Sequence, residues 1–422
     1  MIQVLSAVWA LLVGVVFIML GNGMHFTLIG LRGDVEGFST TALAIITSGY
    51  FVGFLTGAQM APRMIRRVGH VRVFAALGSF MSAGLIAYPL IAEPWAWTVL
   101  RLMLGFCMSG VYVTAESWLN DAATNETRGK ILSAYMIAQT LGIIGAQGLL
   151  TFGDAADATL FIGASILVSI SFAPILLSVT PVPAAAVIRP MSLRELFSYA
   201  RLSTVGIFLL GSAYATQSGM GAVFGTQTGM TTDQVALFVA MLFAGALLFQ
   251  YPIGWLSDRC DRRVMIVGLA LAGAAAGVLG FLGGDDLRVV MAGAFLAGGV
   301  TTPLYALFLA YTNDYLTTDQ MPAASGGLVF TFGLGAIIGP LLTGWFMQHL
   351  GAWTFWIVLS VTFGIIVGYG LWRIARGGAT PTETESYLGV VPGASPVAVE
   401  AAGAWAAEQA EQSEQGEDPQ PT

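Results

Sequence analysis

The 422-residue chain is poor in charge: Asp, Glu, Lys and Arg together make up 10% of it. Soluble domains carry about 25%, so a water-soluble fold of this length would have too few charges to cover its surface. Cysteine is scarce as well. The two thiols, Cys107 and Cys260, stand far apart in the chain, which excludes a disulfide framework and a multi-cysteine metal site. Three widely separated histidines exclude a histidine-based metal centre. No Gly-x-x-x-x-Gly-Lys-Ser/Thr occurs, so the chain has no phosphate-cradling loop for ATP-driven pumping. The alternating segments of ~10 residues that mark a membrane β-barrel are missing. The N-terminus lacks a basic region and its apolar run is too long for a cleaved signal peptide, so it is expected to persist as a first span. No triad, metal set or phosphate cradle converges at one depth, so neither an enzyme nor a cofactor or metal is expected.

What the chain has is apolar length. Hydrophobic residues make up 56% and the mean hydropathy is +0.77. Runs of spanning length fall at about 4–31, 38–61, 71–91, 97–118, 131–152, 159–179, 202–226, 234–256, 264–283, 288–312, 325–347 and 353–375. Each can cross a hydrocarbon core of ~30 Å as a helix. Twelve spans put both termini on one side, and basic residues choose the side. The even-numbered loops and the C-terminal flank hold fourteen Lys and Arg residues, while the opposite side holds two, Arg32 and Arg288. By the positive-inside rule both termini are expected in the cytoplasm.

The chain divides into a six-span unit (1–180), a cytoplasmic connection (181–201), a second six-span unit (202–376) and a tail (377–422). Pro181, Pro183 and Pro190 keep the first half of the connection out of a helix. Ser192-Leu193-Arg194-Glu195 then reads as a capping box opening a short surface helix. The tail holds eight acids and no Lys or Arg, so it accounts for the net charge of −7; its composition indicates a solvated, disordered segment. That acidity says nothing of nucleic acid, and no nucleic-acid partner is expected. The two units repeat each other in chain order: Asn120-Asp121 with Asn313-Asp314, Gly105 with Gly298, Ile143-Ile144-Gly145 with Ile337-Ile338-Gly339, and Arg67 with Arg259.

After the eighth run comes Gly254-Trp255-Leu256-Ser257-Asp258-Arg259-Cys260-Asp261-Arg262-Arg263. It resembles the signature loop of the major facilitator superfamily, Gly-x-Leu-Ala-Asp-Arg-x-Gly-Arg-Lys, with Asp261 in place of the second glycine. The counterpart after the second run, Pro62 to Arg72, keeps the basic pair Arg66-Arg67 and Gly69 but has Arg66 where the acid stands. Arg101-x-x-x-Gly105 is similar to the superfamily's intramembrane arginine motif, Glu116 with Arg128-Gly129 to its acid and Arg-Gly pair, and Gly335-x-x-x-Gly339-Pro340 to the antiporter glycine-proline motif. Glu116-Ser117, Arg128-Gly129-Lys130, Ala134-Tyr135-Met136 and Gln250-Tyr251-Pro252-Ile253-Gly254 look like the uncharacterised YcaD-like carriers of bacteria. The resemblance covers about residues 4–376. It implies an all-α integral membrane protein of 12 transmembrane helices in two pseudo-symmetric six-helix bundles, lying in the bacterial inner membrane as a monomer. Such a protein moves a small organic solute by alternating access, with protons as the expected coupling ion.

The loop residues Arg66, Arg67, Arg128, Asp258, Arg259, Arg262 and Arg263, with Glu116, are the candidates for gating and coupling. Asp258 is placed to cap a helix or pair with an arginine, and Arg128 or Arg66 can reach Glu116. Simple topology anchoring by the arginines is the alternative. Arg101 lies about 6 Å along its helix from Trp97. It either faces a cavity, binding an anionic group or governing protons, or it anchors the helix and snorkels to the headgroups. His25, at a comparable depth, either couples protons or is a hydrogen-bonded polar residue. Spans one, four, seven and ten line the cavity in this superfamily, so Asn22, His25, Arg101, Tyr112, Gln217 and Tyr305 are the substrate-contact candidates, and a small polar or anionic solute is expected. No Asp or Glu lies in mid-span, which disfavours a multidrug efflux antiporter for cations. A membrane-embedded sensor that uses the tail to dock a partner is the other alternative.

Overall fold

A computed structural model describes residues 2–122, 125–177, 191–317 and 320–376. The first part of the connection (181–190) and the whole tail expected from the sequence lie outside the described residues. Among those described there is no strand. The helices are α1 (Ile2–Val35), α2 (Thr40–Val68), α3 (His70–Ala87, extended by a tight turn over Tyr88–Leu90), α4 (Pro94–Ala122), α5 (Asn125–Leu150) and α6 (Thr159–Leu177). Then follow α7 (Leu193–Tyr199), α8 (Arg201–Ala215), α9 (Gly221–Gln227), α10 (Thr232–Ser257), α11 (Arg262–Leu282), α12 (Leu287–Asn313), α13 (Met321–Leu350) and α14 (Thr354–Ala375). Ten of these helices are long and apolar enough to cross a membrane, and a shorter apolar helix covers Thr159–Pro174. The protein is a multi-pass membrane protein.

Local chemistry sets the helix ends. Ser39 accepts from the backbone of Ala42 to open α2, Thr231 and Gln234 form a reciprocal capping box for α10, and Asp261 and Asp286 cap α11 and α12. The capping box expected at Ser192 and Glu195 opens α7 as read from the sequence. Gly69 and Gly351, at φ 88° and 99°, close α2 and α13 in a backbone conformation that favours glycine. Several helices run past the apolar limits read from the sequence, α4 by three residues at its start, because backbone hydrogen bonding continues into the polar interface.

The seventh apolar run departs most from expectation. It is not one α-helix: a π-helical turn over Thr216–Met220 divides α8 from α9. A π turn leaves the regular bonding ladder locally open and recurs at functional sites. Gly219 allows its close approach to α2, where a Cβ would meet Thr47 Cγ2 at 2.1 Å.

Backbone contact at glycine holds the bundle together, as it must where lipid supplies no hydrophobic drive between helices. A Cβ on Gly105 of α4 would sit 1.9 Å from the Tyr50 carbonyl oxygen of α2, and one on Gly298 of α12 would sit 1.9 Å from the Leu242 carbonyl oxygen of α10. The same contact therefore recurs at both members of the glycine pair read as a repeat. Gly335 of α13 stands in the same relation to Phe208 of α8.

Candidate functional site

Two contiguous cavities open between the first six long helices and the later ones. The inner chamber, about 70 Å³, is lined by Asn22, Phe26 and Thr27 of α1, Tyr50, Phe51 and Phe54 of α2, Tyr112 of α4, Gln147 of α5, Tyr214 and Ser218 of the seventh run, Phe243 of α10 and Phe332 of α13, among others. The outer chamber, about 570 Å³, shares Tyr112, Ile143, Tyr214 and Phe243 with it and runs between α5 and α10 past Gln139 and Gln250 to Gly254, Trp255 and Asp258. A side pocket of about 20 Å³ is lined by Gln217, Thr301 and Thr302.

The two ends of this path differ. At one end the later helices tie directly to α2: Gln348 Oε1 accepts from the Thr40 backbone at 2.9 Å, and Gln227 donates to the Thr40 hydroxyl. Half-way down, the Ser48 hydroxyl donates to the Ile337 carbonyl at 2.8 Å. The path is thus shut at the Thr40–Gln348 end and widens toward the Asp258 end.

The chamber wall is aromatic and uncharged. Phe54 packs edge-on to Tyr112 at 6.0 Å and Tyr214 lies 5.5 Å from Phe332. Amides and hydroxyls punctuate these rings. The Thr27 hydroxyl donates to Gln147 at 2.8 Å, and the Gln147 amide donates to the Gly23 carbonyl at 3.3 Å. Asn22 shares a hydrogen bond with Tyr50. Gln250, on the outer chamber wall, has no hydrogen-bond partner at either side-chain polar atom. Among the described residues, no Asp, Glu, Lys, Arg or His lines the inner chamber, and Asp258 is the one charged side chain lining the outer one.

Of the substrate-contact candidates, Asn22 and Tyr112 line the chambers and Gln217 lines the side pocket, where it accepts from Thr301 at 3.1 Å. His25, Arg101 and Tyr305 line none of the three cavities. Arg101 is 0% exposed, so it does not snorkel. Its guanidinium carbon lies 4.3 Å from the Phe26 ring centre and 5.4 Å from that of Tyr50, and those two rings form the chamber wall in front of it. All three guanidinium nitrogens lack a hydrogen-bond partner. His25 packs behind the same wall, 4.6 Å from Tyr88, and Tyr305 stands behind Phe332 at 5.4 Å.

The gating candidates separate in a similar way. Glu116 is fully buried and accepts from the Tyr135 hydroxyl at 3.0 Å, a partner the sequence reading did not include. Arg66 and Arg67 are exposed on the last turn of α2. The side chain of Arg128 lies outside the described residues. Arg262 is buried and donates to the Ala310 carbonyl at 3.2 Å and to the Asp314 carboxylate, with Asp258 at 4.0 Å. Arg259 lies over the Trp255 ring at 4.1 Å, and Arg263 donates to the Tyr315 hydroxyl at 3.1 Å. Sequence reasoning missed Asp314 as a partner, although Asn313-Asp314 was visible as a repeat mark, and missed Phe26 and Tyr50, which no motif distinguishes from other aromatic residues in spans.

Two family models match the chain. That described as Major Facilitator Superfamily covers residues 202–405 and that described as Sugar (and other) transporter covers residues 10–183. Among similar proteins, an uncharacterised MFS-type transporter of Enterobacter sp. (strain 638) is 25% identical over 88% of this chain and 96% of its own. The uncharacterised MFS-type transporter YcaD of Escherichia fergusonii is 25% identical over 84% of this chain and 93% of its own. YfkF of Bacillus subtilis (strain 168), likewise MFS-type, is 23% identical over 82% and 90%. Among solved structures, a mutant of the nucleoside transporter NupG superposes with a TM-score of 0.73 at 14% identity, over 87% of this chain and 99% of that one. A bacterial homologue of the human lysosomal transporter Spinster gives 0.70 at 14% identity, over 88% and 98%. The chain belongs to the major facilitator superfamily of membrane transporters.

Proposed function

We propose that the protein is a secondary transporter of uncharged, ring-bearing organic solutes, with twelve spans arranged as two six-helix bundles that alternate access to the aromatic chamber. The seventh span is then the composite of α8, the π turn and α9. The uncharged aromatic wall is the observation that carries this reading. A charged solute entering a chamber with no counter-charge would lose its hydration without repayment. Rings, by contrast, gain about 0.5–1.5 kcal/mol per well-placed aromatic neighbour beyond their buried area. Asn22, Gln147, Ser218 and Gln250 supply hydrogen bonds that orient hydroxyl or amide groups of the solute. This departs from the anionic solute suggested by Arg101, because Phe26 and Tyr50 stand between that cation and the chamber. The names of two matches, a sugar transporter family and a nucleoside transporter, point toward uncharged ring compounds as well.

With both termini cytoplasmic by the positive-inside rule, the wide Asp258 end faces inward and the conformation is inward-open. Asp258, on the wall of the mouth, is the gating carboxylate, meeting α5 when the mouth closes. Glu116, buried one helical turn beyond Tyr112, is the proton carrier of the reading, with Tyr135 holding its carboxylate. The test is a thermal-shift screen of the purified protein against nucleosides, neutral sugars and matched carboxylates, followed by flux in liposomes. Uncharged compounds should stabilise the protein by mass action and cross the bilayer. Stabilisation by carboxylates alone would overturn the solute class, and ligand binding without flux in either direction would overturn transport.

A further inference from the structure

Behind the aromatic wall of the inner chamber lies a cluster of buried polar side chains that neither the chamber nor the gate uses. Arg101 of α4, His25 of α1 and Tyr88 in the turn extending α3 are 0%, 1% and 0% exposed. No hydrogen-bond partner is present for any of the three guanidinium nitrogens, for the Tyr88 hydroxyl or for His25 Nε2. Trp97, one turn before Arg101, sets the cluster in place: its indole Nε1 donates to the Tyr88 carbonyl at 3.2 Å. The His25 ring lies 4.6 Å from that of Tyr88, and on the chamber side Phe26 and Tyr50 cap the guanidinium. The titratable groups whose charge bears on Arg101 are Tyr50, Tyr88 and His25, and no carboxylate is among them.

A guanidinium keeps its proton at any working pH, so Arg101 cannot shed its charge on burial as a histidine or lysine can. The Phe26 ring offsets part of the cost of burying it but accepts none of its in-plane N–H groups. Water accepts such donors yet brings no charge, whereas an anion answers both needs. The groups present also select the kind of anion. Arg101 and the Tyr88 hydroxyl donate, and His25 Nε2 joins them in the tautomer that carries its proton there. Around them stand ring edges, which bear positive partial charge, rather than further polar groups. An anion of several oxygens would leave some of them facing rings, while a single spherical ion is satisfied by these few donors. We infer that Arg101, Tyr88 and His25 hold a halide ion of the chloride type as a buried counter-charge, separate from the transported solute. The inference stands whatever the chamber carries.

The test uses the full-length protein, purified in detergent with gluconate as the only small anion. Sodium chloride and sodium bromide then replace sodium gluconate stepwise at constant ionic strength, and the thermal midpoint is followed. Either halide should raise the midpoint of the wild-type chain along a saturable curve. Tyr88→Phe, which removes one donor to a charged partner, should weaken the apparent halide affinity by about tenfold, and Arg101→Met by about 100-fold or more. Arg288→Gln, at an exposed arginine of α12, should respond as the wild type does. Crystals grown in bromide should show an anomalous peak against the Arg101 guanidinium. A midpoint that halides leave unchanged or raise without saturation overturns the inference, as does an equal response in Arg101→Met or a bromide map with no peak at Arg101. If Arg101→Met does not purify, Tyr88→Phe and the bromide position in the wild-type chain carry the test.

Discussion

The Arg262–Asp314 pair gives the sharpest test of which charges at the wide end hold the structure and which serve the gate. Both side chains are nearly inaccessible, at 2% and 3% exposure, and both belong to the later helices. Arg262 also donates to the Ala310 carbonyl at 3.2 Å, so it closes the C-terminal end of α12, where a cation suits the helix dipole. Removing one partner of a buried pair costs about 3–5 kcal/mol, because the other charge is left uncompensated. Here the lower end applies: after Asp314→Asn, Arg262 keeps the Ala310 carbonyl and has the Asp258 carboxylate 4.0 Å away. We therefore expect a loss of about 3 kcal/mol in Asp314→Asn, read as the midpoint of unfolding in mixed micelles of mild detergent and dodecyl sulfate. The double variant Arg262→Met/Asp314→Leu removes both charges and should fall within about 1 kcal/mol of wild type. Asp258→Asn, at a side chain that is 43% exposed, should leave stability intact while slowing flux. A loss below about 1 kcal/mol in Asp314→Asn, or a double variant as unstable as the single one, would refute the reasoning.

Gly105→Ala and Gly298→Ala should each destabilise by about 1–3 kcal/mol, because the added Cβ meets a carbonyl oxygen at 1.9 Å, whereas Gly268→Ala, with nothing within 4 Å, should be neutral in the same unfolding assay. Phe26→Ala opens the chamber wall in front of Arg101; solute affinity should fall by about tenfold, and carboxylate-bearing analogues should begin to bind, as read by thermal shift. Glu116→Gln should leave solute binding in place but abolish the dependence of flux on a proton gradient; unchanged gradient dependence would remove Glu116 from coupling. Hydrogen bonds from Ser192 hold the Glu195 carboxyl below its ordinary value, so its contribution to α7 is complete only above the unfolded-state value of about 4.3 and is lost as the pH falls through the lowered folded-state value. Hydrogen exchange of 193–199 should therefore be slower at pH 6 than at pH 3 once corrected for intrinsic rates.

Most of the architecture was legible because hydropathy and helix caps are local. Apolar runs and the Ser192 capping box each rest on a few neighbouring residues, and they reappear in the structure as helices at about their places, the seventh run excepted. The candidate site was legible only in part. Asn22, Tyr112 and Gln217 reach the cavities, whereas Arg101, His25 and Tyr305 stand one layer behind. Span membership fixes the depth of a side chain, but its direction around the helix depends on the packing of neighbours.

Local patterning of apolar and capping residues already carries the helical membrane class and the approximate place of most spans, and the motifs around Arg101, Glu116 and Asp258 carry the family resemblance. The tertiary structure decided what patterning leaves open. It joined Arg262 to Asp314 across two helices, unwound the seventh run into a π turn at Gln217, and placed Phe26 and Tyr50 between a buried cation and the chamber. In a membrane the lipid-facing and cavity-facing sides of a helix can be equally apolar, so hydropathy cannot tell them apart. Only the contacts between helices reveal that the chamber is aromatic and uncharged.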